Sequence, residues 1–259
     1  MLEVKNISYK IGTKQILENI SASFLPGKLS MIIGPNGSGK STLLKIISNE
    51  IEKYSGEVFY NNRLLTKKDN AALAKIRAVL SQQSELSFPL TVEEVVMMGR
   101  YPHFDFKPTR NDLDICLAAL REMNILDFRY RNYLTLSGGE KQRVHFARVL
   151  AQIWEKPSDT DRYLFLDEPI SHLDLNYQHE FLKQARFIAS GAVVVIVVIH
   201  DVNLAIQYAD KVLALNNGKV VIYDVPSKVI KPEIIDDMYN IKSKMIKHPD
   251  VPFPILIAE

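Results

Sequence analysis

Apolar and polar positions alternate through the first 25 residues: Leu2, Val4, Ile7 and Tyr9 precede Gly12-Thr13, and Ile16, Leu17 and Ile20 follow it. Period-two patterning broken by a glycine turn predicts two antiparallel strands. Residues 29–33 form a short apolar run ending in Gly34, which predicts a buried strand feeding a tight turn, with a helix over 42–47. From Gly56, Glu57-Val58-Phe59-Tyr60, Asn61-Asn62 and Arg63-Leu64-Leu65 predict a hairpin. The period then changes. From about residue 86 to 154 the pattern is mostly helical. Thr91 with Glu94 forms a capping-box pattern that opens a helix through Met98, stopped by Gly99. Leu113, Leu117 and Leu120 share one predicted face over 112–123, and Val144, Ala147, Leu150 and Ala151 another over 140–154. Beyond a polar break at 155–162, residues 163–166 and 192–199 are near-continuous apolar runs, as parallel strands covered on both faces require. Val212–Leu215, Asn217-Gly218 and Lys219–Tyr223 give a second hairpin signal. After Pro226 the periodicity is modest (Val229, Ile230, Ile234, Met238) and prolines follow at 249, 252 and 254, which predicts a short helix on the core and an extended tail. The coarse picture is a helical block inserted between two strand-rich parts.

Composition narrows the class mainly by exclusion. A chain of 259 residues permits one or two domains and needs no staple to bury a core. Its single cysteine, Cys116, cannot form an internal disulfide, which fits a reducing compartment. With 32 Lys+Arg against 30 Asp+Glu the net charge is +2, no basis for general nucleic-acid binding. The N-terminus lacks the apolar stretch of a signal peptide. The longest apolar run, residues 192–199, is far short of the ~20 residues a membrane helix needs.

The chemistry concentrates in a few segments. Gly34-Pro35-Asn36-Gly37-Ser38-Gly39-Lys40-Ser41-Thr42 fits G-x-x-x-x-G-K-[ST] between a predicted strand and a predicted helix. Glycines let successive backbone amides converge on phosphate oxygens, and the helix start adds its dipole. Lys40 supplies a point charge to the terminal phosphates and the Ser41 hydroxyl a ligand for Mg²⁺, so the loop predicts a nucleoside triphosphate. The strand at 163–166 ends in Asp167-Glu168. Ligands of open α/β sheets bind at the carboxyl ends of strands, which makes Asp167 the natural Mg²⁺ partner and Glu168 a general base for the attacking water. His200, after the other apolar strand, emerges at the same kind of edge and is the candidate γ-phosphate contact. The remaining histidines show no metal-ligand spacing. Leu136-Ser137-Gly138-Gly139-Glu140 opens another helix, with Ser137 as N-cap and two glycines that capping alone does not require. Two anion-binding helix starts accompany only one acid–base pair. One economical arrangement is a two-fold dimer in which Ser137-Gly138-Gly139 serves the nucleotide of a second copy.

These segments, with Pro169, Ser171-His172-Leu173-Asp174 and His200, occur in the order found in ATP-binding subunits of ABC transporters, and residues 1–224 resemble that family. The resemblance implies an α/β fold: a P-loop NTPase core, an N-terminal antiparallel β subdomain and an inserted α-helical subdomain at about 86–154, with 225–259 as a C-terminal extension. By the same resemblance Tyr9 is the aromatic that stacks on adenine, Gln82 (rivalled by Gln83) links the Mg²⁺ site to the transport subunit, and Asp174 is an acid at the dimer seam. Ile170 and His172 depart from the common Thr and Ala, which bears on inter-subunit contacts. Residues 86–103 and 147–155 are similar to the importer ATPases for haem, iron–siderophores and vitamin B12, the second stretch to haemin importers in particular. The implied assembly is a homodimer of ATPase subunits on two transmembrane permease subunits, served indirectly by a substrate-binding protein, at the cytoplasmic face of the inner membrane and without nucleic acid. Phe88, Tyr101, Phe104 and Phe106 around a proline-rich loop are the candidate permease surface. An iron–siderophore or cobalamin importer ATPase, an exporter ATPase, a soluble P-loop ATPase or kinase, and a non-hydrolysing nucleotide sensor are the alternatives.

Overall fold

The computed structural model describes residues 1–66, 70–81, 86–155, 160–171, 173–247 and 249–259. In chain order the described residues form β1 (Leu2–Ile11), β2 (Lys14–Phe24), β3 (Leu29–Ile33), α1 (Lys40–Ile47), β4 (Ser55–Tyr60), β5 (Arg63–Leu64), α2 (Asn70–Leu73) and β6 (Arg77–Leu80). There follow α3 (Val92–Met97), α4 (Arg110–Glu122), α5 (Gly138–Gln152), β7 (Arg162–Asp167), α6 (Leu175–Ser190), β8 (Val193–Val198) and α7 (Val202–Tyr208). The last elements are β9 (Lys211–Asn216), β10 (Lys219–Asp224), α8 (Pro226–Val229), α9 (Pro232–Tyr239), β11 (Ser243–Ile246) and β12 (Ile255–Ala258). Among the described residues no helix is long and apolar enough to cross a membrane. The chain divides into two compact units, Met1–Leu65 with Leu182–Glu259, and Thr66–Phe181.

In the first unit, β2, β1, β4 and β5 form an antiparallel sheet whose alternating residues Leu2, Val4, Ile7, Leu17, Ile20, Phe24 and Val58 are buried. Asn61 and Asn62, at φ 49° and 64°, turn the β4–β5 hairpin in the doubly left-handed conformation that matches strand twist. A second sheet runs β10-β9-β3-β8, with β3 parallel to both neighbours (Leu29 opposite Val195, Ser30 opposite Lys211). Every residue of β3 and β8 is buried, which explains why neither run alternates. α7 packs on β3, α1 on β8 and α8 on β9.

The C-terminus corrects an expectation. The tail is not extended: β11 and β12 pair antiparallel, from Ser243–Ala258 to Ile246–Ile255, with all three late prolines in the connection between them. The Asn203 side chain on α7 donates to Leu256 O (3.0 Å) and accepts from Leu256 N (2.8 Å), closing part of the β12 edge and fastening the hairpin to that helix.

In the second unit β6 and β7 run parallel, Arg77 opposite Tyr163 through Leu80 opposite Leu166, and α3, α4 and α5 pack together. The Thr91–Glu94 capping box forms as expected, and α3 ends at Met97, just before Gly99. The chain continues through it as a 3₁₀ turn, Met98–His103, and a Cβ on Gly99 would lie 2.1 Å from Arg148 O on α5. The glycine is required by close backbone packing. The α4 stripe is also rotated from the expected one: Asp112, Ile115, Cys116, Ala119 and Leu120 are buried, and Leu113 is exposed. The cause is Arg100, a fully buried guanidinium that bonds Asp112 Oδ1 (2.9 Å), Ala151 O (2.7 Å) and Glu155 Oε2 (2.7 Å). Burying Arg100 requires its carboxylate to face inward. Burial pushes the Cys116 thiol up to about 12, leaving it an unreactive packing residue.

Candidate functional site

The loop after β3 is built for close approach. Gly34 has φ 153°, and a Cβ there would stand 2.0 Å from Leu215 O. Gly39, at φ 102°, has the Leu17 side chain 2.6 Å from its own virtual Cβ. No other residue fits either position without displacing backbone or core. Pro35, Asn36 and Gly37 complete the turn, where Ser38 N donates to Pro35 O (3.2 Å). Lys40 is the first residue of α1 and is almost wholly buried. Its ammonium donates to Gly34 O (2.8 Å) and Pro35 O (3.0 Å), which holds the charge inside the loop. No side chain caps α1, and its backbone ladder begins with Leu43 N to Gly39 O (2.8 Å), so the start of the helix, with Ser41 and Thr42 in its first turn, faces the loop. The Ser38 hydroxyl is buried and has no hydrogen-bond partner among the described residues. A buried cation, a bare helix start and an orphaned hydroxyl around one turn are the donor set a phosphate group completes.

His200 stands beside this loop in the same unit. Ile32 pairs with Val198 and Ile199 N donates to Ile32 O (3.1 Å), so the parallel register brings His200 abreast of Gly34. It is exposed, in the short link between β8 and the Asp201 cap of α7. Tyr9, half-buried on β1 opposite Leu17, lines a cavity of about 790 Å³ with Lys10, Gln15, Lys53 and Tyr54. The sequence reading missed Tyr239. Its hydroxyl is buried beside the Gly34 backbone, and burial pushes the phenol up to about 12 against the opposing pull of the Gly34 amide. Nothing local in the sequence marks a residue about 200 positions from the loop as its neighbour.

The second unit holds the acidic pair and the second helix start. Asp167 ends β7 and is buried. Glu168 follows at φ 49°, a left-handed conformation that is uncommon for glutamate. Ser171 donates to Glu168 O from its amide (3.4 Å) and hydroxyl (3.1 Å). At α5, Ser137 and Glu140 form a reciprocal capping box: Glu140 N to Ser137 Oγ (3.4 Å) and Ser137 N to Glu140 Oε2 (2.7 Å). The Ser137 amide holds the Glu140 carboxyl below its usual range. Leu136 is buried and anchors the turn. A Cβ on Gly138 would meet open space, and one on Gly139 only ordinary contacts with Tyr177 and Leu173. Packing among the described residues therefore requires neither glycine, and the pair leaves the helix start uncovered. Asp174 is exposed and caps α6 by accepting from Tyr177 N (3.0 Å). Gln82, its rival Gln83 and His172 lie outside the described residues. Among the described residues no cluster of three or more His, Cys, Asp or Glu could hold a metal ion. Ser41, in the first unit, and Asp167, in the second, each present an oxygen donor of the kind a hard cation takes.

The ABC transporter family pattern matches residues 17–171. The chain belongs to the ABC transporter family. It is 42% identical over 257 residues to a protein of Gloeobacter violaceus named hemin import ATP-binding protein HmuV, covering 99% of this chain and 94% of that relative. Its fold is that of the ABC ATPases. An inward-facing structure described as a metal-chelate type ABC transporter superposes with a TM-score of 0.84 at 23% identity, covering 100% of this chain and 97% of the other. The dimeric structure of the bacterial ABC transporter cassette MJ0796 superposes with a TM-score of 0.73 at 26% identity, covering 87% and 99%. The expected class, a transport ATPase on an α/β P-loop core, is the one the family establishes.

Proposed function

We propose that this ABC ATPase is the ATP-binding subunit of a haemin importer. The observation that carries its nucleotide chemistry is the Gly34–Thr42 loop, whose buried Lys40 ammonium and unpartnered Ser38 hydroxyl await an anion. The cargo follows the relative named for hemin import, aligned along nearly the whole chain. Residues 1–224 are the ATP-binding domain, with its helical part at about 86–154, and 225–259 are an extension.

Tyr9 stacks on the adenine, Lys40 and the loop amides hold the terminal phosphates, and His200 holds the γ-phosphoryl group. Bound Mg²⁺ would be held by Ser41, Gln82 and, directly or through water, Asp167, and would neutralise charge on the phosphate oxygens. Glu168 accepts a proton as water attacks the γ-phosphorus and the bond to the β-phosphate oxygen breaks, releasing ADP and phosphate. Two copies close face to face, each nucleotide lying between the loop of one and Leu136–Glu140 of the other, with Asp174 at the seam. The uncovered glycines support that arrangement. The dimer drives two membrane permease subunits at the cytoplasmic face, served by a substrate-binding protein. The exposed Phe88, Tyr101 and Phe106, with Phe104 packed edge-on at 5.9 Å from Tyr101, suit a permease contact.

The test is Glu168→Gln beside Lys40→Ala. The first keeps ATP affinity, loses turnover by roughly 100-fold or more, traps a closed dimer and abolishes haemin uptake in vesicles carrying the cognate permease. The second loses ATP affinity. Wild-type phosphate release by Glu168→Gln, or uptake of another chelate in place of haemin, overturns the corresponding part.

A further inference from the structure

Glu168 holds its left-handed φ immediately before Pro169, where a residue is ordinarily extended. Such a conformation persists only where the surroundings over-determine it. One restraint is local, from Ser171 to Glu168 O. Another comes from α5: Gln142 Nε2 donates to Pro169 O at 2.6 Å. Pro169 is buried and has no amide hydrogen, so this carbonyl is its only polar group.

Gln142 is three and four positions beyond Gly139 and Gly138, hence on the same helix face, one turn in from the uncovered start of α5. The same stretch of α5 meets the segment after β7 twice more. Gly139 lies against Leu173 and Tyr177, and the Arg143 guanidinium stands 5.1 Å from the Tyr177 ring centre. The first turns of α5 and the backbone carrying Glu168 are thus fastened as one body within the second unit.

We propose that Gln142 is a positioning residue that couples the Ser137–Gly139 anion site to Glu168 of the same chain. An anion from a second copy, bound at the start of α5, sets through Gln142 the backbone that aims the chain's own general base. Nucleotide held by one copy thereby licenses hydrolysis in the other half-site. The inference rests on the roles proposed above for Glu168 and for the α5 start.

The experiment compares the full chain with Gln142→Met, which keeps length and removes the donor, and Gln142→Lys, which restores one. Phosphate release is measured against ATP concentration, ATP affinity separately, and thermal midpoints verify folding. Gln142→Met is expected to lose kcat by roughly tenfold or more, keep its ATP Kd within about twofold, and lower the Hill coefficient from near the two-site limit of ~2 toward ~1. Gln142→Lys is expected to recover most of both. Wild-type kcat and cooperativity in Gln142→Met overturn the proposal, as does a loss of ATP affinity in step with kcat, the mark of a merely structural role. Glu168→Gln in the same series separates the two claims. If it is inactive while Gln142→Met is normal, only the coupling falls; if it is itself active, the base assignment falls and the coupling with it.

Discussion

Glu168 and Gly34 are marked in the sequence by their motifs, but their backbone conformations, at φ 49° and 153°, are not. Gly34 is readable as part of a phosphate loop, but the contact that makes it obligatory, Leu215 O at 2.0 Å from a virtual Cβ, comes from a strand about 180 residues later. Gly34→Ala is expected to lose at least ~1–3 kcal/mol of stability from backbone strain, read by denaturant unfolding, and to lose ATP binding with it. Gly99 is legible as the residue just past the end of α3, but not as the point of close approach to the α5 backbone, which its lack of a Cβ admits. Ser137 was legible as an N-cap from its place before the helix, and the structure adds its reciprocal bond with Glu140.

At the scale of elements, period sufficed wherever both flanks were marked: the Asn61-Asn62 and Asn217-Gly218 hairpins, the apolar runs of β3 and β8, and the capped start of α3. It misplaced the α4 face because Arg100 is buried and draws Asp112 inward, a pairing across 12 residues that outweighs the simple count of leucines. The same network holds His103, whose Nε2 lies 2.8 Å from Gln152 O with Glu155 at 3.5 Å. Burial first, then Arg100 and Lys75, lower the His103 pKa against the opposing pull of Gln152 and Glu155. The folded value lies below that of free imidazole, so the unfolded chain takes the proton first. This contribution to stability is complete above about pH 6.5 and is lost as pH falls through the lowered folded value. Thermal midpoints at pH 7.5 and 5.5 are expected to differ less in His103→Gln than in the wild type; an equal difference counts against His103 as the titrating group.

For the molecule as a whole, family membership places the chain in a transporter, and among the described residues no helix is long and apolar enough to cross a membrane. Tyr101, which directly follows the buried Arg100, and Phe106 are exposed. Replacing both with serine is expected to weaken co-purification with the permease by ~30-fold or more, as loss of an aromatic hot spot does, with phosphate release by the isolated chain unchanged. Retained assembly would place the interface elsewhere. The sequence by itself determined the family, through the order of its motifs along the chain, and most strands, through short local patterns. Only the tertiary structure decided the strained backbone of Glu168, the inward face of α4, the folded C-terminal hairpin and the place of Tyr239 beside Gly34. Each of those depends on a contact that periodicity does not record: Gln142 with Pro169, Arg100 with Asp112, Asn203 with Leu256, and Tyr239 with Gly34.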